Sequence, residues 1–330
     1  MLKYILKRLA LSILILLGVS LIIYFLIRLM PVDFVQNKID QMSTHGATVS
    51  DETVQALYEI YGTGDDSFFG ILQGYGKWLL NMCRLDFGNS FSNNAPVVDV
   101  IVSKMPYSFV IAAIATIFEF LIAIPLGITA ATHQYSIRDY VVTFFVMIGI
   151  SLPSFFFARI LQALLAEPNG PFKFAGQENA GTSLTGFAGM IDSLQYLILP
   201  ILTMVILSIG GRMRMTRTNM LEVLNADYIR TARAKGLKER VVIYKHAFRN
   251  TMIPLATSLA GLLPGLFSGA MIVETVFDID GIGKTALELM NKGDIPFIMG
   301  YNMFLALLSV IGVLLADLMY ALVDPRVKLE

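Results

Sequence analysis

Leu9 to Ile27 is an uncharged apolar run, long enough as a helix to cross a hydrocarbon layer of about 30 Å. Predominantly apolar runs recur at Ser108–Thr132, Val141–Leu165, Leu197–Gly211, Met252–Val276 and Phe297–Val323. Lipid cannot satisfy backbone N–H and C=O groups, so a spanning segment must close its own hydrogen bonds. Runs of this length do so as helices. The expectation is an all-α membrane protein with six transmembrane helices, the fourth the shortest because it meets Arg212. Composition excludes a soluble domain: 55% of residues are hydrophobic and 15% charged, against roughly a quarter charged in soluble proteins. Mean hydropathy is +0.66.

Formal charge sums to zero, but its distribution is uneven. Lys3, Lys7 and Arg8 precede the first run, and Arg212, Arg214, Arg217, Arg230, Arg233, Lys235, Lys238, Arg240, Lys245 and Arg249 lie between the fourth and fifth. The segment 29–107 is instead acidic, with Asp33, Asp40, Asp51, Glu52, Glu59, Asp65, Asp66, Asp86 and Asp99. Basic residues stay in the cytoplasm, which predicts both termini and the loop 212–251 inside, and 29–107, 166–196 and 278–296 outside. The basic N-terminus imitates a signal peptide, but its apolar run is too long and no small-x-small site follows. The lone Cys83 has no partner for a disulfide.

Three segments follow: a basic N-terminus with the first span (1–30), an extracytoplasmic segment (31–107), and a five-helix core with its cytoplasmic loop (108–330). In the outer segment, Ser50–Ile60 reads as a helix with Ser50 as N-cap. Phe68–Leu85 reads as one or two short interfacial helices broken by Gly70, Gly74 and Gly76, with Tyr75 and Trp78 at headgroup level. Pro125, Pro153, Pro200, Pro254 and Pro264 fall inside spans, where neighbouring helices can satisfy the freed backbone. Gly261, Gly265 and Gly269 form a small-residue ladder that either packs helices closely or lines a pore.

The loop 212–251 is longer than a connector needs, and it encodes a helix over about Ala226–Lys235. Asn225 is the expected N-cap and Asp227 suits the first turn. Arg233 and Lys235 occupy the last turn, and Gly236 is placed for a left-handed C′ residue. Thr231, Ala232 and Ala234 are small enough to enter a groove, with Tyr228 and Ile229 as apolar anchors. A basic loop touching anionic lipid is the plain alternative; the caps, small face and anchors favour a docking helix.

Asp227-Tyr-Ile-Arg-Thr-Ala-Arg-Ala-Lys-Gly-Leu237, followed by His246-Ala-Phe-Arg-Asn250 and Pro254, resembles the permease signature of ABC importers in its oligopeptide and dipeptide version. The general signature is Glu-Ala-Ala, three residues, then Gly; here Arg230-Thr-Ala232 precedes Gly236, without the Glu. Further similarities run along nearly the whole chain: Tyr4–Arg8 through Arg28–Pro31, Leu85–Ser90, Ile124–Gly127, Glu274–Phe277 with Gly281–Gly283, and Asp317–Arg326. The resemblance implies a type I ABC importer permease fold. Its partners would be a second homologous permease, two cytoplasmic ABC ATPases that bind ATP and Mg, an external peptide-binding protein and the lipid bilayer. Asp227, Tyr228, Ile229, Arg230, Thr231, Ala232, Arg233, Ala234, Lys235 and Gly236 would form the coupling helix. The chain itself would hold no cofactor and catalyse nothing, and no nucleic-acid partner is expected.

Other signals are set aside. Gly281-Ile-Gly-Lys-Thr285 imitates a phosphate loop, but Asp278 stands where that loop needs Gly. Glu119, near mid-span, is expected to face the pore or pair with the partner chain. Arg159 is placed to snorkel, and Asp317 to pack or cap. His45, His133 and His246 lack neighbours at ligand spacing, so no metal site is expected. A secondary transporter should show repeats and broken helices, and a permease for a non-peptide solute such as nickel would share this sequence pattern.

Overall fold

The computed structural model describes residues 2–28, 68–93, 95–166, 170–173, 187–258 and 261–323, all helix, turn and two isolated bridges. The helix expected over 50–60 lies outside these residues. In chain order the helices are α1 (Leu2–Arg28), α2 (Phe68–Cys83), α3 (Val97–Thr132), α4 (Ile137–Ser151), α5 (Ser154–Leu165), α6 (Phe187–Leu224) and α7 (Asp227–Ala234). The single turn α8 (Glu239–Val241) runs through a π-helical stretch, Val242–Ala247, into α9 (Phe248–Ser258). Then come α10 (Leu262–Phe267), α11 (Met271–Val276), α12 (Ile282–Asn291) and α13 (Ile295–Val323). Among the described residues three are long and apolar enough to cross a membrane, within Val97–Thr132, Tyr196–Leu224 and Ile295–Asp317; the α4–α5 pair makes a fourth if counted as one span.

Several boundaries differ from the sequence reading, each for a physical reason. Helix α3 starts at Val97 rather than near Ser108, because Val97 N–H bonds Gly88 O and Val100 N–H bonds Pro96 O, extending the helix outward. The run 141–165 is not straight: it bends by 103° at Leu152-Pro153, as expected where the residue before proline is driven to extended backbone. The fourth run continues unbroken through Pro200 to Leu224, so the first third of the basic loop is helix. The fifth run divides into α9, α10 and α11, with Gly269 at φ +70° between the last two.

The chain forms two compact units: Met1–Lys104 with Thr285–Val310, and Met105–Lys284 with Ile311–Glu330. In the first, Tyr24, Ile298 and Met299 are buried among Ile71, Tyr75 and Trp78. Tyr75 and Trp78 pack on Tyr24, with ring centroids 5.6 and 5.8 Å away. Helix α2 is continuous through its glycines. Asp294 is fully buried and accepts from Ser90 Oγ at 2.7 Å, Ser92 N–H at 2.9 Å and Phe297 N–H at 3.2 Å. It thereby caps α13 and fixes the turn after Leu85-Asp-Phe-Gly88.

In the second unit, α6 packs along α3 and α4. Here glycines permit contact: a Cβ at Gly127 would lie 2.6 Å from Thr216 Cβ, one at Gly149 2.8 Å from Ile206 O, and one at Gly210 would overlap Ile150 Cγ1. The ladder positions behave differently. A Cβ at Gly261 or Gly265 meets nothing within 4 Å. We therefore expect Gly149→Ala to lower the unfolding temperature in detergent, by the ~1–3 kcal/mol of an overpacked contact, while Gly265→Ala leaves it unchanged or raises it. Equal effects would contradict this packing.

Candidate functional site

Helix α7 is short, and both its ends are fixed by local chemistry. Ala226, extended at ψ 148°, is the N-cap and supplies no side-chain bond. Asn225 is therefore not the N-cap expected; its Nδ2 donates to Leu221 O at 2.9 Å, closing the end of α6 instead. Asp227 stands in the first turn of α7, where the helix dipole favours a negative charge. At the other end Lys235 is the C-cap and Gly236 takes φ +73°, the left-handed residue that terminates many helices. A Cβ at Gly236 would meet nothing within 4 Å, so glycine is needed there for conformation and not for space.

The buried face of α7 consists of Ile229, with no exposure, and Ala232. Both join a cluster with Ile128 and Ala131 of α3, Met220 of α6, and Val242 and Ala247 of the π-helical stretch. The π register, with its i→i+5 hydrogen bonds, turns Val242 and Ala247 toward that cluster together. Sequence reading gave Ile229 and Ala232 to an outside groove; the structure turns them inward, because a helix this short needs tertiary packing to persist. Asp227, Tyr228, Arg230, Thr231, Arg233, Ala234, Lys235 and Gly236 remain exposed.

Polar contacts steady the same helix. Tyr228 OH accepts from Asn250 Nδ2 at 3.0 Å, joining α7 to the His246–Asn250 stretch. Arg233 Nη2 donates to Glu239 Oε1 at 2.7 Å, and this bond holds the Glu239 carboxyl below its ordinary pKa. Arg230 lies 3.5 Å from Asp227 with both side chains largely exposed, a contact of little energetic weight. Its guanidinium is thus presented outward.

The remaining candidates fall elsewhere. Glu119 is buried and pairs with Arg212 Nε of its own chain at 2.9 Å. Arg212 also donates to Ser258 Oγ at 2.7 Å and lies 4.5 Å over the Phe120 ring. Arg159 donates to Gln162 Oε1 at 2.7 Å. Gly269 lies against Gly283 and Glu274, apart in character from Gly261 and Gly265. Among the described residues no group of three His, Cys, Asp or Glu is placed to hold a metal.

Sequence reading missed the weight of Glu274. Its carboxylate, 1% exposed, accepts from Ser108 Oγ at 2.7 Å, Ala270 N–H at 2.9 Å and Lys284 N–H at 2.9 Å. The Gly281–Thr285 turn does close on an anion, but the anion is this side chain. An acid inside an apolar run was the available signal.

Helices long and apolar enough to cross a membrane, with a short basic surface helix packed against two of them, mark a multi-pass membrane protein. Comparison with known proteins narrows this class. Residues 123–329 match the binding-protein-dependent transport system inner membrane component, and residues 1–112 match the N-terminal component of the same systems. The chain is 36% identical to the oligopeptide transport system permease protein AppB of Bacillus subtilis, over 99% of this chain and 100% of that one. It is 32% identical to the dipeptide transport system permease protein DppB of Alkalihalophilus pseudofirmus, over 99% and 100%, and 30% identical to DppB of Escherichia coli, over 99% of each. The chain belongs to the family of binding-protein-dependent transport system inner membrane components, the ABC importer permeases.

Two outcomes test the mounting of α7. Ile229→Ala should destabilise the protein by about 2–5 kcal/mol, as a buried large-to-small change does, and expose 226–236 to protease. Arg230→Ala should change stability by no more than about 0.5 kcal/mol. The Arg233–Glu239 bond acts in the opposite sense to a raised pKa: Glu239 is lowered on folding, so its contribution is present above the ordinary glutamate pKa and lost as pH falls through the lowered value. For so exposed a pair a double-mutant cycle at neutral pH should give ~0.2–1 kcal/mol, vanishing in acid.

Proposed function

We propose that the chain is the pore-forming permease subunit of an ATP-driven importer of oligopeptides or dipeptides. The observation behind this reading is the mounting of α7, a helix with a basic exposed face and a buried face locked into α3 and α6. The relatives named above are permease proteins of oligopeptide and dipeptide systems, which supports peptide as cargo. In this reading α1, α3, α4 with α5, α6, α9 through α11, and α13 make six crossings, and both termini and α7 lie in the cytoplasm, as the basic bias argues.

Helix α7 then seats in the groove of an ATPase subunit, with Tyr228, Arg230, Thr231, Ala234 and Lys235 toward it. ATP and Mg belong to two such subunits; the Gly281–Thr285 turn, already filled by Glu274, supports assigning no nucleotide to this chain. When the ATPases close they displace α7. Because Ile229 and Ala232 interlock with Ile128, Ala131 and Met220, the displacement passes directly to α3 and α6, the helices that with a second permease would enclose the path. An external binding protein delivers the peptide.

Affinity purification of the full chain in mild detergent tests the assembly: a second permease and one or two ATPases should accompany it. Replacing Arg230, Thr231 and Gly236 together should abolish ATP-driven peptide uptake while the chain remains in the membrane. Uptake that persists in that variant, or a chain recovered without any ATPase, would favour a secondary transporter instead.

A further inference from the structure

A groove of about 230 Å³ lies along α4 and the middle of α6, lined at its charged mouth by Asp139, Tyr140 and Arg217, next by Arg214 with Met147, and at its far end by Ile150 and Gly210. Its charges do not cancel. Arg217 gives its guanidinium fork to Asp139, Nε to Oδ1 at 3.0 Å and Nη2 to Oδ2 at 2.8 Å. Asp139 also accepts from Tyr135 N–H at 3.1 Å and Thr143 Oγ1 at 3.4 Å, so its oxygens are engaged. Arg214 has no carboxylate among the described residues; its polar contact is Nη2 to Met147 Sδ at 3.4 Å, and a thioether is a weak acceptor. One surplus cation therefore stands just inside the mouth of a largely apolar slot.

The dimensions and the polarity gradient select the ligand. Ligand pockets for whole small molecules measure about 300–1,000 Å³, so this groove takes part of a molecule and not a peptide. From Arg217 to Gly210 the slot runs roughly 10 Å along α6, at 1.5 Å per residue, from charged to wholly apolar. Tyr140, Met147 and Ile150 are exposed along it, as lipid-facing side chains would be. The basic bias places this end at the cytoplasmic leaflet, where anionic headgroups concentrate. We propose that the groove binds one anionic phospholipid, its phosphate on Arg214 and one acyl chain along Met147, Ile150 and Met213. The Asp139–Arg217 pair shapes the mouth and keeps a second cation beside the phosphate.

The test is native mass spectrometry of the full chain, with whatever subunits it retains, given phosphatidylglycerol and phosphatidylcholine of matched acyl chains. Phosphatidylglycerol should be retained preferentially. Arg214→Gln should weaken that retention about fivefold, the loss of one basic side chain at a lipid surface, and leave phosphatidylcholine unaffected; Arg214→Lys should restore most of it. A photoreactive side chain at position 140 should capture phospholipid in native membranes. Equal retention of the two lipids, an unchanged Arg214→Gln variant, or capture of a protein subunit at position 140 would each overturn the assignment.

Discussion

The Glu274 carboxylate is the interaction on which the second unit depends. The chain leaves regular helix between α10 and α12, and a membrane protein can do this only where the freed backbone groups are satisfied from within. Glu274 does so by reaching back to Ala270 N–H and across to Lys284 N–H, while Ser108 Oγ donates to it at 2.7 Å and accepts from Ile282 N–H at 2.9 Å. One side chain thereby joins α3, α11 and the start of α12. The glycines follow from it: a Cβ at Gly281 would lie 2.5 Å from a Glu274 oxygen, and one at Gly283 2.9 Å from it. A buried acceptor with three donors cannot be removed without orphaning each of them, at about 1–3 kcal/mol apiece.

An eight-residue helix is too short to be stable in water, and most of the α7 side chains are polar. Its persistence comes from Ile229 and Ala232, which enter a cluster supplied by three other parts of the chain. The exposed face needs no intrinsic stability and is free to carry recognition. Exposed face and holding face are thus separated on one helix, with the Arg233–Glu239 and Tyr228–Asn250 bonds steadying its ends.

Much of this was legible in the sequence. Long apolar runs gave the all-helical membrane class, and caps, dipole charges and Gly236 gave α7 nearly to the residue. What escaped was contact information. Hydropathy marks Met252–Val276 as a span but does not register that Gly269 takes a left-handed φ between two short helices, nor that Leu152-Pro153 turns α4 and α5 through 103°. Periodicity over eight residues cannot say whether Ile229 faces a partner or its own core, since both are apolar destinations. The glycine ladder Gly261, Gly265 and Gly269 has the spacing of a packing motif, yet of the three only Gly269 has close neighbours, while Gly127, Gly149 and Gly210, which have no such spacing, are pressed against neighbouring helices. Close approach depends on where two helices cross, and one strand of sequence does not contain the second helix.

Helix α6 explains how the separate sites belong to one device. It is held in register level by level: Gly210 against Ile150, Arg212 on Glu119, Thr216 against Gly127, Arg217 on Asp139, and Met220 in the cluster beneath α7. Two of these levels are ion pairs with an acidic partner almost wholly buried. Buried pairs add little net stability, because desolvation offsets attraction, but a slip of α6 by one turn would strand four charges. They therefore act against alternative registers more than they deepen the native one. A helix held at so many levels is fixed in register against α3 and α4, and α7 follows directly on its end.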